Sequence, residues 1–193
     1  MPSIPSAHEH AAPSPWILRW AACVPAASAV LDVACGGGRH ARWFAARGHE
    51  VDAVDRNAEA IASLAGEPRI HALCADIEDG PWPYAGRRYG AVVVTNYLHR
   101  PLLPRLVEAV APGGVLLYET FAAGNERYGR PGNPDFLLRP GELLEAVRGR
   151  LRVVAYEDVE VHAPRPACLQ RICAVNLNAA DGSQLARREP NPV

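Results

Sequence analysis

The chain contains no lysine: all 20 of its basic residues are arginine, in a length of 193. That excludes any mechanism built on a Schiff-base lysine or on the lysine of a phosphate-binding P-loop. The arginine bias accompanies an abundance of Ala, Gly and Pro and carries no functional weight. Charge of one sign is also lacking. The 20 basic residues face 21 acidic ones for a formal net charge of −1, so no global field draws the protein to nucleic acid or anionic lipid. No apolar run approaches the roughly 18 residues a spanning helix needs, so no membrane partner is expected. The N-terminal MPSIPSAHEHAAPSP has neither the basic start nor the apolar stretch of a secretory signal. Cysteines number five, an odd count with no Cys-x-x-Cys pair. Cys23, Cys35 and Cys74 sit in apolar surroundings, which reads as buried reduced thiols and a cytoplasmic protein. No His/Cys/Asp cluster has metal-ligand spacing, and no metal is expected.

What is present is alternation. Residues 1–13, rich in Pro, Ala, Ser and His, read as a disordered leader, residues 14–177 as one domain, and residues 178–193 as a polar tail. Ser14-Pro15 reads as a helix N-cap followed by proline at the first helical position, with Trp16, Ile17 and Trp20 as core packing. Strand patterns follow at 29–34, 50–55, 70–75, 91–95 and 115–119. Helical patterns fall between them at 39–47, 57–65 and 101–110, and again at 141–147. This alternation predicts a doubly wound, mostly parallel α/β sheet with helices on both faces. The last two strands, 151–161 and 168–177, are joined by a link too short for a crossover helix, so they form an antiparallel pair and bring the sheet to seven strands. Between residues 121 and 140 no periodicity survives, and Phe121, Tyr128 and Phe136 there point to a loop closing over something.

The first strand runs as AVLDVACGGGRH into three glycines, a place where a ligand approaches bare backbone. In an open α/β sheet the ligand sits at the carboxyl ends of the strands. That selects Ala34, Cys35, Gly36 and Gly38, then Asp55 and Arg56, Asp76 and Ile77, and Asn96 onward. Gly36-x-Gly38-x-x-Ala41 satisfies a loose dinucleotide pattern, with Asp55 seventeen positions beyond Gly38 (55 − 38). Three features disfavour a nicotinamide cofactor: Asp32 inside the first strand, Asp76 as a second strand-end acid, and the antiparallel final pair. Acids lining a site suit a ligand with positive charge and bare amines. Each acid also has a local alternative, because strand-end aspartates cap following helices.

Residues 30–39, VLDVACGGGR, resemble motif I of the class I S-adenosylmethionine-dependent methyltransferases. Val51 to Asp55 resembles their second motif, Cys74 to Ile77 the third, and Ala111 to Leu116 the Pro-Gly-Gly turn before strand five. The resemblance covers about residues 14–177 and implies a Rossmann-like fold and S-adenosylmethionine as cofactor. It implies that Asp32 orients the glycine loop and attracts the α-ammonium, that Asp55 takes the ribose hydroxyls, and that Asp76 and Ile77 hold the adenine. Asn96 to Arg100 and Tyr118 to Phe121 further resemble a bacterial subgroup of small tellurite-resistance-type methyltransferases. A small-molecule acceptor is expected, with His99 as candidate base beside Tyr97, and Arg100, Glu119, Phe121, Tyr128 and Arg130 as acceptor contacts. An RNA methyltransferase and a catalytically silent cofactor-binding subunit remain as alternatives. Oligomeric state is not legible.

Overall fold

A computed structural model describes residues 12–177. The expected leader up to residue 11, His8 and His10 with it, and the tail 178–193 lie outside the described residues.

Seven strands form one sheet: β1 (Val30–Val33), β2 (Val51–Asp55), β3 (Ile70–Cys74), β4 (Tyr89–Thr95), β5 (Val110–Phe121), β6 (Arg152–Val161) and β7 (Ala167–Val175). Their order is β3-β2-β1-β4-β5-β7-β6. Strands β1 to β5 pair in parallel, while β7 runs antiparallel to both β5 and β6. Five α-helices are α1 (Pro15–Trp20), α2 (Arg39–Ala45), α3 (Ala58–Ala62), α4 (Leu103–Glu108) and α5 (Glu142–Val147). The predicted fold class therefore holds, including the antiparallel finish.

Strand β4 explains why the sheet is covered on both sides. Every residue from Tyr89 to Thr95 is buried, and its side chains divide by period two. Val92 and Val94 join a core with Leu102, Leu106 and Leu143 under α4 and α5. Ala91 and Val93 join Ile17, Ala41, Phe44 and Ile61 under α1, α2 and α3. A run of β-branched residues buried on both faces is the signature of a central parallel strand.

Four expectations need correction. The helix predicted to reach Val110 ends at Glu108, and β5 already pairs Val110 with Tyr89 before a register shift. Pro112-Gly113-Gly114 is an irregularity inside that long strand rather than a turn ahead of it. Gly113 takes φ +78°, and a Cβ on Gly114 would lie 2.7 Å from the Tyr89 carbonyl oxygen. Cys74 is exposed, because β3 is the edge strand and its last residue faces solvent. The segment 121–140 is not structureless, since single 3-10 turns at Asn125–Arg127 and Pro134–Phe136 fold it back, and Ala122 bridges Leu138. Trp16 and Trp20 pack in the core as expected.

Candidate active site

The chain runs outward from β1 through β2 to β3, then crosses to begin β4 on the other flank of β1. This is the topological switch, where an open α/β sheet leaves a crevice at the strand carboxyl ends. A cavity of about 440 Å³ opens there, within the range of small-molecule sites. Ala34 follows β1 into it, and Asn96, Tyr97 and Leu98 follow β4. Asp55, Arg56, Ala75, Asp76, Ile77 and Glu78 line one side, and Thr120, Phe121, Pro131 and Phe136 the other. Ala34 and Asn96 adopt positive φ, 52° and 55°. Such strain at non-glycine residues costs about 1–3 kcal/mol each and concentrates at functional sites.

The aspartates do different work. Asp55 Oδ2 accepts from the Gly36 amide at 2.8 Å and Oδ1 from the Asn57 amide at 2.8 Å. The helix-capping alternative belongs to Asn57, whose side chain accepts from Glu59 and Ala60 at the start of α3. A carboxylate offers about four acceptor sites, so each Asp55 oxygen keeps capacity for a hydroxyl. Asp76 Oδ1 accepts from the amides of Glu78 and Asp79, and these two bonds hold its carboxyl below the ordinary range. No described residue donates to its Oδ2. Asp32 lies deeper than expected: it is buried, and its Oδ2 accepts from the Ala41 amide at 3.0 Å. The N-cap of α2 is Gly38, which has no side chain to offer; Asp32 supplies the acceptor from the strand beneath. Burial raises the Asp32 pKa to about 7, with Asp55 adding to the rise and the Ala41 bond and Arg39 opposing it.

The glycine loop closes onto this frame without lining the cavity wall itself. Cys35 is buried, and burial together with Asp32 and Asp55 pushes its thiol pKa up. Gly36 has φ +52° with open space where a Cβ would stand, whereas a Cβ on Gly38 would lie 2.5 Å from Leu64 Cδ2. Gly38 is thus glycine for packing, and Gly36 for conformation and an open approach.

Five candidate residues stand elsewhere than expected. Arg100 is fully engaged: Nε and Nη2 donate to Glu142, and Nη1 and Nη2 to the carbonyls of Asp135 and Leu137. Burial disfavours the Glu142 anion, but the Arg100 and Arg139 donors outweigh it and hold its pKa at about 2. Arg100 therefore fastens the 133–142 segment and is not available to an anionic acceptor. Glu119 is buried between Ser14 Oγ, at 2.7 Å, and Arg171, where it anchors α1 to the β5–β7 edge. His40 completes that anchor by accepting from the Ser14 amide. Tyr128 and Arg130 are exposed and off the cavity wall. His99 also stands off the wall, with Nδ1 3.7 Å from Glu78 Oε2.

Tyr97 and Phe121 are on the wall, as expected. The Tyr97 hydroxyl is buried without a hydrogen bond of normal geometry. Burial and the neighbouring Glu78 carboxylate push its pKa up. The hydroxyl stands beside Glu78, so the two polar groups adjoin at this part of the wall. Sequence reasoning missed Ala75, Glu78 and Pro131, and gave Leu98 and Thr120 no role of their own within the strand-end segments it singled out. Glu78 was the accessible one, because the Asp76 turn that presents Ile77 also presents the residue after it.

This sheet order, with its crevice at the switch point, is the Rossmann-like fold shared by the solved methyltransferase structures described below. Residues 30–114 match the model of a methyltransferase domain family. A malonyl-[acyl-carrier protein] O-methyltransferase from Serratia marcescens is 35% identical over 101 residues, 50% of this chain and 39% of that protein. The chain thus spans well under half of that relative's length. Among solved structures, TehB from Haemophilus influenzae superposes with a TM-score of 0.65 at 22% identity, covering 81% of this chain and 60% of that one. A TehB-like SAM-dependent methyltransferase from Corynebacterium glutamicum gives a TM-score of 0.60 at 18% identity, with 81% and 84% covered. Among the described residues, no helix is long and apolar enough to cross a membrane, and no group of three or more His, Cys, Asp and Glu side chains could hold a metal ion.

Proposed function

We propose that the protein binds S-adenosylmethionine in this cavity and transfers its methyl group to a small-molecule acceptor. The observation that carries the reading is the paired state of Asp55. Its two oxygens are each fixed by one backbone amide, and each retains acceptor capacity toward the cavity, as a vicinal diol requires. Asp76 is held ionised beside Ile77, so a polar acceptor and an apolar surface adjoin for an aminated ring.

When bound, the cofactor supplies a methyl group already attached to a good leaving atom. The chain's part is to orient and to exclude water, and alignment of this kind can supply roughly 7–11 kcal/mol. Asp32 and Gly38 fix the start of α2, Asp55 ties the glycine loop to β2, and Arg100 fixes the far rim. Tyr97, Leu98, Thr120 and Phe121 form the wall at the ends of β4 and β5. A base matters only when the acceptor starts protonated, and Glu78 with His99 behind it is placed for that.

Calorimetry with S-adenosylmethionine, S-adenosylhomocysteine and NAD tests the reading. The first two are expected to bind, and Asp55→Ala should weaken both at least tenfold. NAD binding without the sulfonium would refute it.

A further inference from the structure

The charges on the cavity wall are sorted. Its charged residues are three carboxylates, Asp55, Asp76 and Glu78, against one guanidinium, Arg56. Arg56 adjoins Asp55 in sequence, and its charge lowers the Asp76 pKa, so it belongs to the carboxylate flank. The other wall, from Tyr97 to Phe136, is aromatic and apolar with no cation. The arginines nearest that wall in sequence are engaged or outside it. Arg100 is saturated by Glu142 and two carbonyls. Arg127 bonds the Gly124 carbonyl and Glu160. Arg130 is exposed off the wall.

Building on the methyltransferase reading, we propose that the acceptor is an amine with an aromatic or apolar body, drawn in as its ammonium by Glu78. Oxyanions and carboxylates are not substrates of this site. An anion placed beside the cofactor would face the Glu78 carboxylate, a like-charge juxtaposition that disfavours it. An ammonium meets the opposite field. Phe136, 53% exposed at the mouth, and Phe121 inside provide apolar and π surface for the body, and π faces also favour a cation.

The chemistry balances on residues that are present. An ammonium is not a nucleophile, so a proton leaves nitrogen for the Glu78 carboxylate and frees the lone pair. Nitrogen then forms its bond to the methyl carbon as the carbon–sulfur bond breaks and sulfur keeps the electron pair. His99, with Nδ1 3.7 Å from Glu78 Oε2 and its side chain 26% exposed, passes the proton toward solvent.

The test uses the full chain and tritiated-methyl S-adenosylmethionine with phenethylamine, tryptamine, phenylpropionate, indole-3-acetate, selenite and tellurite. Calorimetry with the cofactor comes first, and failure of the wild type to bind it overturns the methyltransferase reading together with the acceptor. Given binding, label is expected in the amines alone. Glu78→Gln should raise KM for the amine at least tenfold and change cofactor affinity less than twofold. His99→Gln should lower kcat for the amine with KM little changed. Label in an oxyanion or a carboxylate, label in no amine, or an unchanged KM in Glu78→Gln overturns the acceptor class while leaving the cofactor reading intact.

Discussion

Replacing Asp32 with Asn separates what this carboxyl does for the fold from what the family resemblance expects it to do for a ligand. Its pKa is raised by burial from 3.8 to about 7. Between those values the folded state binds a proton the unfolded chain has released, so stability from this group is full below about pH 4 and is lost as pH rises through 7. Working both equilibria, the change from pH 5 to pH 8 removes about 2–3 kcal/mol. The wild-type profile alone would hide this. His40, buried and held near 3 against an ordinary 6.5, loses stability in the opposite direction as pH falls below 6.5. Asp32→Asn keeps His40, and its amide oxygen can still accept from Ala41. Urea unfolding followed by the fluorescence of buried Trp16 and Trp20 gives ΔG for both chains at pH 5 and pH 8. The variant should gain about 2–3 kcal/mol on the wild type between the two. A gap constant within about 0.5 kcal/mol would show Asp32 ionised in the folded state at both pH values, and would refute its burial as the ruling effect.

The glycine loop offers a second separation. Gly36→Ala should cost only the strain of its φ, about 1–2 kcal/mol, yet weaken S-adenosylmethionine binding at least tenfold by calorimetry. Gly38→Ala adds the contact with Leu64, so its unfolding free energy in urea should fall further, by about 2–4 kcal/mol in all. Arg100→Ala strips Glu142 and two carbonyls of donors, and should cost about 2 kcal/mol after discounting for its partial exposure. Limited proteolysis should then cleave faster within 125–140 than in the wild type. Tyr97→Phe removes a buried hydroxyl that lacks a hydrogen bond of normal geometry, so it should be neutral or slightly stabilising in urea.

Much of this architecture was readable in the residues, for reasons that differ by element. The AVVVT run and the alternating segments reveal a parallel sheet because burial on both faces demands continuous β-branched residues. The short link after Val161 reveals an antiparallel end because no crossover fits it. Depth and partnership were not readable. Asp32 and Asp55 look alike as acids near a glycine loop, but one sits a residue inside the sheet edge and serves a helix amide, while the other emerges from it. Arg100 and Glu119 have the chemistry of substrate ligands, and only tertiary neighbours distant in sequence, Glu142 and Arg171, reveal that each is already paired. Glu78 carries no signal of its own in the sequence, where it is one acid beside Asp76 and Asp79, whereas the Asp76 bonds to its amide and the next turn it toward the cavity.

The same bonds make binding and stability inseparable here. Asp55 holds the Gly36 amide, Asp76 holds the amides of Glu78 and Asp79, and Asp32 holds that of Ala41. All of these close the site without a ligand, so its loops do not have to be ordered at the moment of binding, and little affinity is lost to that ordering. A ligand that meets a site so prepared binds the folded state alone. At a hundredfold excess over Kd it should therefore add the full linkage value of about 2.7 kcal/mol, seen as a rise in Tm of roughly 5–11 °C for a chain of this size. S-adenosylhomocysteine, which lacks the positive sulfur, should give nearly the same rise at the same multiple of its own Kd. A markedly smaller rise for either would mean that the ligand also binds the unfolded chain, so that recognition does not depend on the folded carboxylate frame.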